Sequence, residues 1–537
     1  MMKVALKPIF IIFLTVFFCI YPPLRNYKQN DIKAAFDYFA ADAFYYLNVA
    51  DKYQKTGFSS YDGNHPTNGF HPLWQNILNI SFSKIQDPIS RINFVFFVSV
   101  FLVTLGYIFI ALAIFKLYDS LAFSIATIIP GFLFFFFSFI LFPYGSPWSF
   151  MNGMETPVSI FIFGFLFFFL SSIKSSDFLK QKNLIILSLL LTILGFARLD
   201  DFFLLLAFSI FILIHSEQKD RLKNSLLILA FPFISIVVYV IYNKSYSGFF
   251  LPVSGLIKSN ISFDNFIYTF SSFFSIWIKD NFFGEHAIWR LILLYFPLLT
   301  AIIFLLKTKF YGNKNLNFLI PLSIYVIIKA IYNLFFVNFW DQGHWYFALS
   351  ILITNILIID FVSRIQPRKK TQIVFSLILL IVTFVFANAF MEKYRFKENR
   401  YYEFWKDRKV IEKQIANVYD GKGIIEFDDG IISFSLNLPA LSGTGLNLDS
   451  EAFEYYKKGE LLNLAYRRGY RAISSLAYIN PTQSYIISND LINKWIKESF
   501  PALKKQKLDG WGFELKLHDK ETNFYLITFR NKYQNNQ

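Results

Sequence analysis

Long apolar runs separated by short polar loops dominate the first 390 or so residues of the chain. A membrane-spanning helix needs about 17–25 apolar residues, and about eleven segments have this character, two of them short. The pattern therefore predicts a polytopic α-helical membrane protein. The predicted spans are residues 5–22, 92–115, 121–142, 157–173, 184–197, 202–214, 224–242, 288–306, 317–336, 345–362 and 372–390.

The fifth and sixth segments are the short ones, and they flank a charged stretch that contains Arg198, Asp200 and Asp201. One long helix with these residues at its centre is the alternative to a hairpin. The loops at 174–182 and 215–223 are both basic, which favours the cytoplasmic side for both. An even number of crossings must then separate them, so we predict a hairpin with the three charged residues at its outer tip.

The same charge rule predicts the domain organisation. Two further basic loops, 307–314 and 363–370, also fall on the cytoplasmic side. Residues 23–90 then form a long first outer loop within a transmembrane domain of residues 1–391. Residues 392–537 follow on the outer side and are long enough for a small domain of their own. We expect this arrangement in the plasma (inner) membrane.

The polar tail has the mixed pattern of a small α/β domain. "DDG" is a turn signal between two short apolar runs. A helix is expected to begin at Asp449 or Ser450 and to end at Gly469, and another is expected near 489–503. Four stretches are predicted to be strands: "GIIEF", "IISFSL", "YRAISSLAYI" and "NFYLITFR".

Composition supports the membrane class and narrows the chemistry. The 537 residues are 55% hydrophobic and include 70 phenylalanines, whereas soluble domains average about 45–50% apolar residues. The net charge of +15 lies largely in short loops, where membrane orientation explains it, so we expect no nucleic-acid partner. Cys19 is the single cysteine, which excludes an internal disulfide. The first apolar segment lacks a small-residue cleavage site and is interpreted as an uncleaved helix.

Ionisable residues outside the tail collect on the predicted outer face. Such groups are costly at membrane depth, so their convergence indicates a shared site, although wet outer loops are the alternative explanation. The turn-rich motif "SYDGNHPTNGFHPLW" at 60–74 lies on the same side. The candidates are Asp42, Glu155, Arg198, Asp200, Asp201, Lys258, Asp341 and His344.

Each candidate also has an ordinary structural explanation. Asp42 is predicted in the first turn of an amphipathic helix at the interface, where the helix dipole favours an acid. Glu155 precedes an expected Thr N-cap and a Pro at the first helical position. Arg198 needs a partner, which is either a neighbouring acid or an anionic ligand. His65 and His71 are six residues apart, a spacing that matches no compact helical metal site, so ordinary loop residues or hydrogen-bond donors to a substrate are preferred over metal ligands.

Six strings of the sequence carry a family resemblance: "DAFYYLNVA", "YDGNHPTNGFHPLW", "NGMETP", "GFARLDDFFLL", "LPVSGLIKS" and "GIIEFDDGIISFSL". They resemble a group of bacterial integral-membrane glycosyltransferases of the GT-C superfamily. Relatives of the group are the protein O-mannosyltransferases and the lipid A aminoarabinose transferases. Members often have two acids where this chain has Ala41 and Asp42, so Asp42 is the sole match.

The resemblance implies sugar transfer at the outer membrane face from a polyprenyl-phosphate donor to a hydroxyl of a glycan, lipid or protein acceptor. Asp42 matches the catalytic acid and is expected to act as general base. Arg198 and Lys258 are the expected phosphate contacts. A divalent cation is the one cofactor left open. Further substrate contacts are expected from Asp62, Asn64, Asn68, His71, Trp74, Glu155, Asp200 and His344.

Two other classes are weighed against this one. A transporter or flippase of a lipid-linked glycan predicts inverted repeats and polar groups near the membrane midplane, whereas the predicted spans are nearly free of charge. A membrane-anchored binding protein is the third possibility. This function would account for the polar tail but not for the motifs in the outer loops.

Overall fold

A computed structural model describes residues 2–128, 146–259, 285–308, 318–337, 343–364, 374, 399–428, 430–476, 511–519 and 521–531. The predicted helix at 489–503 and Asp341 lie outside this set, as do the predicted span at 372–390 except residue 374 and most of the predicted span at 121–142.

The described part of the chain before residue 399 is helical. Fourteen α-helices occupy it, and every predicted span that falls within the described residues coincides with one of them. They are α1 (Met2–Asn30), α2 (Lys33–Tyr38), α3 (Ala43–Thr56), α4 (Pro72–Phe82), α5 (Pro88–Tyr118), α6 (Leu121–Ala126), α7 (Thr156–Ser172), α8 (Gln181–Ala197), α9 (Phe202–His215), α10 (Arg221–Ser247), α11 (Val253–Lys258), α12 (Glu285–Thr308), α13 (Leu319–Phe335) and α14 (Ala348–Arg364).

Four described helical segments are long and apolar enough to cross a membrane. They are Leu6–Asn30, Pro88–Tyr118, Arg221–Ser247 and His344–Arg364, and four shorter apolar helices accompany them. The charged stretch after α8 forms a single 3-10 turn, Leu199–Asp201, between α8 and α9. The predicted hairpin is therefore present, and one continuous helix is excluded.

Helices α5 and α7 approach each other closely through two glycines. A Cβ on Gly164 would lie 2.3 Å from the carbonyl oxygen of Gly106, and a Cβ on Gly106 would lie 2.6 Å from the carbonyl oxygen of Ile160. Small residues at such a crossing let two backbones come together, which is the usual basis of tight packing between apolar helices.

The tail forms an α/β unit around a five-stranded sheet of order β2-β1-β3-β5-β4. β1 pairs in parallel with β2 and β3, whereas β5 is antiparallel to β3 and β4. The strands are β1 (Ile424–Glu426), β2 (Ala440–Ser442), β3 (Ala472–Ser475), β4 (Trp511–Asp519) and β5 (Phe524–Asn531). The helices are α15 (Arg400–Val418), α16 (Ile431–Leu436), α17 (Ser450–Lys458) and α18 (Leu461–Arg467).

Two sequence predictions for the tail are wrong. "IISFSL" is helix α16 and not a strand, because Gly430 turns the chain at φ 93° and the Glu426 carboxylate accepts the backbone N–H groups of Ile432 and Ser433. The single helix expected from Asp449 is two helices, because Gly459 adopts a left-handed conformation at φ 74° and ends α17. Asp449 does cap α17 by accepting the N–H of Ala452.

Helix α3 lies between the helical part and the tail. Its residues from Ala43 to Lys52 are all buried, so the expected amphipathic helix at a membrane interface is wrong. The α16 side of the tail covers it, and the carbonyl of Phe44 lies so close to Gly430 that a Cβ there would approach to 2.8 Å. The tail is thereby fixed over the segment that begins at Asp42.

Candidate active site

A cavity of about 330 Å³ lies where the ends of several apolar helices meet the loop between α1 and α5. Six of the predicted site residues line it, although they come from five separate parts of the sequence. These six are Asp42, His71, Glu155, Arg198, Asp200 and Lys258. The predicted convergence of ionisable residues is therefore present for this subset.

Asp42 occupies the N-cap position of α3, but its side chain does not cap the helix. The expectation of a first-turn position is therefore off by one residue. The carboxylate instead faces Lys258 at the end of α11, with 3.5 Å between its Oδ2 atom and the lysine Nζ atom. Both side chains are less than one fifth exposed. An acid and a cation thus share the cavity without being sealed from solvent.

Arg198 is held by a buried network at the hairpin tip. Its Nη1 atom lies 3.1 Å from Glu155 Oε1 and 3.0 Å from the carbonyl oxygen of Trp345, and its Nε atom lies 2.8 Å from Asp200 Oδ1. Lys329 in α13 also contacts Asp200. Two cations and two carboxylates balance each other, so the network carries little net charge.

The two adjacent acids at the tip have opposite protonation tendencies. Burial opposes ionisation of Asp200, but the charges of Arg198 and Lys329 outweigh it and lower the Asp200 pKa. Burial and the neighbouring Asp200 charge raise the pKa of Asp201 to about 7. Tyr325 donates a hydrogen bond of 2.7 Å to Asp201. Asp200 is thus the ionised carboxylate of the network, whereas Asp201 favours the protonated form and binds Tyr325.

His71 presents a neutral ring to the cavity. Its Nδ1 atom accepts the backbone N–H of Leu199 at 3.1 Å, so the ring proton lies on Nε2, which faces Glu155 Oε1 at 3.7 Å. Burial lowers the His71 pKa. Tyr46 donates to Glu155 Oε2 at 2.8 Å and accepts the His71 backbone N–H at 3.3 Å. The first loop and the hairpin tip are joined by these contacts.

Glu155 lies at the start of α7, where the sequence predicted a Thr156 cap. The structure places Glu155 itself at the N-cap and Pro157 in the first turn, a difference of one residue. The Glu155 side chain is buried and makes no capping hydrogen bond. It is directed to Arg198 and Tyr46 instead, so the network and not the helix end determines its position.

The other predicted site residues lie outside the cavity lining. Asn68 bridges to α11 by donating to the Leu251 carbonyl and accepting the Val253 N–H. Trp74 donates to the Gly153 carbonyl, and His344 lies 2.9 Å from the Ser149 carbonyl. These three side chains hold loops together, which leaves them little capacity for a substrate.

Asp62 and Asn64 belong to a second cluster, between the first loop and the tail. Asp62 accepts the backbone N–H groups of Asn64 and His65 and also contacts the His65 ring at 2.7 Å. Burial opposes ionisation of Asp62, but the hydrogen bonds that it accepts outweigh burial and lower its pKa. The hydrogen bond between the His65 ring and Asp62 raises the pKa of His65. Tyr470 and Arg468 reach Asp62 from the tail. These residues therefore serve the contact between the two domains.

This second cluster contains the one set of three ligand-type side chains that the described residues bring together, namely Asp62, His65 and Asp449. Arg468 lies 2.7 Å from Asp449 and 3.6 Å from Asp62. A guanidinium thus already lies between the two carboxylates and would repel a divalent cation there. His71 lines the cavity instead, so the two loop histidines belong to different clusters.

The sequence predictions missed Lys329, the partner of Asp200, and several residues that line the cavity. Lys329 had a clear signal, since it is a lone lysine within a predicted span, and such a residue marks a functional or paired site. Aromatic and apolar residues in a phenylalanine-rich chain gave no comparable signal. The missed residues that line the cavity include Tyr45, Tyr46, Tyr332, Tyr346 and Leu446.

The comparisons with known proteins give no family. No protein-family model matches the chain, and no curated protein matches it. Among solved structures it is similar to the crystal structure of an Archaeoglobus fulgidus oligosaccharyltransferase tethered by a disulfide bond to an acceptor peptide containing the NVT sequon. The TM-score is 0.48 and the identity 11%, over 88% of this chain and 68% of that chain. Similarity of this degree carries no inference about the reaction, so the function of this chain has to be argued from its own residues.

Proposed function

We propose that the chain is a membrane glycosyltransferase that moves a sugar from a polyprenyl-phosphate donor to an acceptor hydroxyl. The observation that carries this proposal is the pairing of Asp42 and Lys258, 3.5 Å apart, in a cavity at the ends of apolar helices. A carboxylate that accepts a proton and a cation that stabilises a leaving phosphate are the two groups this transfer needs.

The topology belongs to the same proposal. In this proposal the chain crosses the plasma membrane about eleven times, the cavity faces the outer side, and the residues after 391 are an extracytoplasmic domain. A sugar carried on a lipid then reaches the cavity from the bilayer, since nucleotide sugars are not available on that side. The ends of α8, α9 and α13 supply the membrane-side wall through Arg198, Phe203 and Tyr332.

In the proposed reaction Asp42 takes the proton of the acceptor hydroxyl while the acceptor oxygen attacks the anomeric carbon. The bond between that carbon and the phosphate oxygen breaks, and polyprenyl phosphate leaves with the electron pair. Attack opposite the phosphate inverts the anomeric centre. The leaving phosphate is a weak base, so no general acid is needed, and no step uses a metal ion.

The contacts of Arg198 and Lys258 indicate different roles for these two cations in the proposed reaction. Arg198 already binds Glu155, Asp200 and the Trp345 carbonyl, which favours a supporting role over the phosphate contact expected from the sequence. Lys258 lies in the cavity wall, 3.5 Å from Asp42 Oδ2 and 5.8 Å from the centroid of the Tyr346 ring, and its side chain is 17% exposed. We therefore assign the departing phosphate to Lys258 and the hydrogen bonding of sugar hydroxyls to His71.

The test incubates purified protein in detergent with a panel of polyprenyl-phosphate sugars and measures released polyprenyl phosphate. Wild-type protein is expected to release it from at least one donor, and Asp42→Asn to reduce the rate about 10²–10⁴-fold. Asp119→Asn is the matched control, because Asp119 is exposed and has a φ of 45°, which Asn also tolerates. Equal rates in Asp42→Asn and wild type would remove Asp42 from the mechanism.

A further inference from the structure

A turn of the tail forms part of the cavity wall, a contact that was not predicted. Leu446 lines the cavity together with Gly69, Phe70 and Leu256. It belongs to the segment Gly443–Asn447, here called the wall turn, which follows strand β2. The tail therefore contributes to the cavity directly and is not only a cover above it.

The wall turn is held in place by contacts with the first loop. A Cβ on Gly69 would lie 1.9 Å from the Leu446 carbonyl oxygen, so the two backbones touch. Thr67 donates a hydrogen bond of 3.1 Å to the carbonyl of Leu448. The hydroxyls of Tyr45 and Thr444 lie 2.5 Å apart. The glycine of the "TNGFHPLW" string is thus explained by the close approach of this turn.

The contact between Tyr45 and Thr444 also connects the wall turn to the helix that begins after Asp42, the proposed general base. Tyr45 lies three residues after Asp42, and residues at this spacing share one face of a helix. The side of α3 that begins at Asp42 is therefore the side to which Thr444 binds. Arg198, Asp200 and Tyr332 also line the cavity, but they lie at the ends of apolar helices, in segments distant from the wall turn in sequence.

We propose that the wall turn selects the acceptor and that the Leu446 side chain limits the size of acceptor that reaches Asp42. This inference rests on the proposed glycosyl transfer. The acceptor hydroxyl has to touch Asp42, and an acceptor arriving from outside the membrane meets the wall of the cavity that the tail supplies. We expect a lipid-borne donor to enter between the helix ends that carry Arg198 and Tyr332, and therefore to be insensitive to Leu446.

The experiment measures the acceptor profile of wild type, Leu446→Ala and Leu446→Trp with one donor that wild type uses. The acceptors are water, glycerol, methyl glucoside and methyl maltoside, in order of size. Leu446→Ala is expected to raise kcat/KM for the largest acceptor relative to glycerol by about tenfold or more, since one methylene contributes about 10-fold or more to such selectivity. Leu446→Trp is expected to lower it, and the donor KM is expected to stay unchanged in both variants.

Leu448→Ala is the matched control, because Leu448 is also buried, lies two residues away and does not line the cavity. Its acceptor profile is expected to match that of wild type even if its thermal stability falls. Identical profiles in wild type and both Leu446 variants would overturn the inference, as would a changed donor KM with an unchanged profile. A wild-type protein that releases no polyprenyl phosphate from any donor would contradict the glycosyltransferase proposal instead.

Discussion

At the scale of single residues, the two cations that line the cavity differ in their exposure. Arg198 binds two carboxylates and one carbonyl, and its side chain is 4% exposed. Lys258 is 17% exposed and lies beside Asp42 and over the Tyr346 ring. A buried guanidinium with several protein partners stabilises the fold, whereas a partly exposed cation in the cavity wall can contact a ligand.

Lys258→Met is therefore expected to reduce kcat about 10²–10³-fold, the usual effect of removing one group that stabilises developing charge. The rate of donor breakdown measures it. Lys258→Arg should recover part of the rate, because it restores the positive charge but presents a planar guanidinium in place of a compact ammonium group. Lys409→Met, at an exposed position on α15, serves as control. A Lys258→Met enzyme with normal kcat would place the phosphate elsewhere.

Arg198→Met is expected to act on stability as well as on rate. Glu155 and Asp200 would lose their common partner while remaining buried, and breaking a buried ion pair in this way costs about 3–5 kcal/mol. The thermal unfolding midpoint of the purified variant should fall clearly below that of Lys258→Met. The reverse order of the two midpoints would contradict the division of tasks between these residues.

At the scale of elements, the crossing of α5 and α7 depends on two glycines. Gly164→Ala places a methyl group against the backbone of Gly106, where an ideal Cβ lies 2.3 Å from the carbonyl oxygen. The helices would have to separate, so a lower unfolding midpoint is expected. Gly255→Ala in α11 is the control, because no atom lies within 4 Å of the added Cβ. A Gly164→Ala protein as stable as this control would show that the crossing tolerates wider spacing.

Elements of the helical part were predictable because an apolar run and its flanking charges are local properties of the sequence. The hairpin tip at Arg198 followed from loop charge alone. In the tail, "IISFSL" became a helix because a carboxylate from the preceding strand, Glu426, receives its first N–H groups. The convergence of Asp42, Lys258 and Arg198 was predictable from topology, and Lys329 had a signal as a lone lysine in a predicted span. The pairing of Lys329 with Asp200 and the position of the wall residue Leu446 depend on packing between distant segments.

At the scale of the whole molecule, the tail and the first loop meet through buried polar groups. Tyr61 in the first loop donates a hydrogen bond of 3.1 Å to Glu426 at the end of β1, and Asp62 is contacted by Tyr470 and Arg468. The wall turn follows β2, which pairs with β1. The stability of this contact between the domains therefore bears on the shape of the cavity.

Glu426 makes this contact dependent on pH. Burial raises its pKa from the ordinary 4.5 to about 7, against the opposing effect of the hydrogen bonds that it accepts. An acid with a raised pKa in the folded state favours folding fully below its unfolded pKa and loses that advantage as the pH rises to the folded pKa. The fold is therefore expected to lose stability from this group between about pH 4.5 and pH 7 and to change little from it above pH 7.

Each pKa unit corresponds to about 1.4 kcal/mol, so ionisation of Glu426 destabilises the fold by about 3 kcal/mol on going from pH 5 to pH 8. Glu426→Gln mimics the protonated acid at every pH, so the difference in unfolding midpoint between wild type and variant isolates this group from other titrating residues. Wild type should lose stability relative to Glu426→Gln as the pH rises. Glu454→Gln, at an exposed position of α17, should keep the wild-type slope. If Glu426→Gln and Glu454→Gln show parallel midpoints from pH 5 to pH 8, the contact between the tail and the first loop is not governed by this carboxylate.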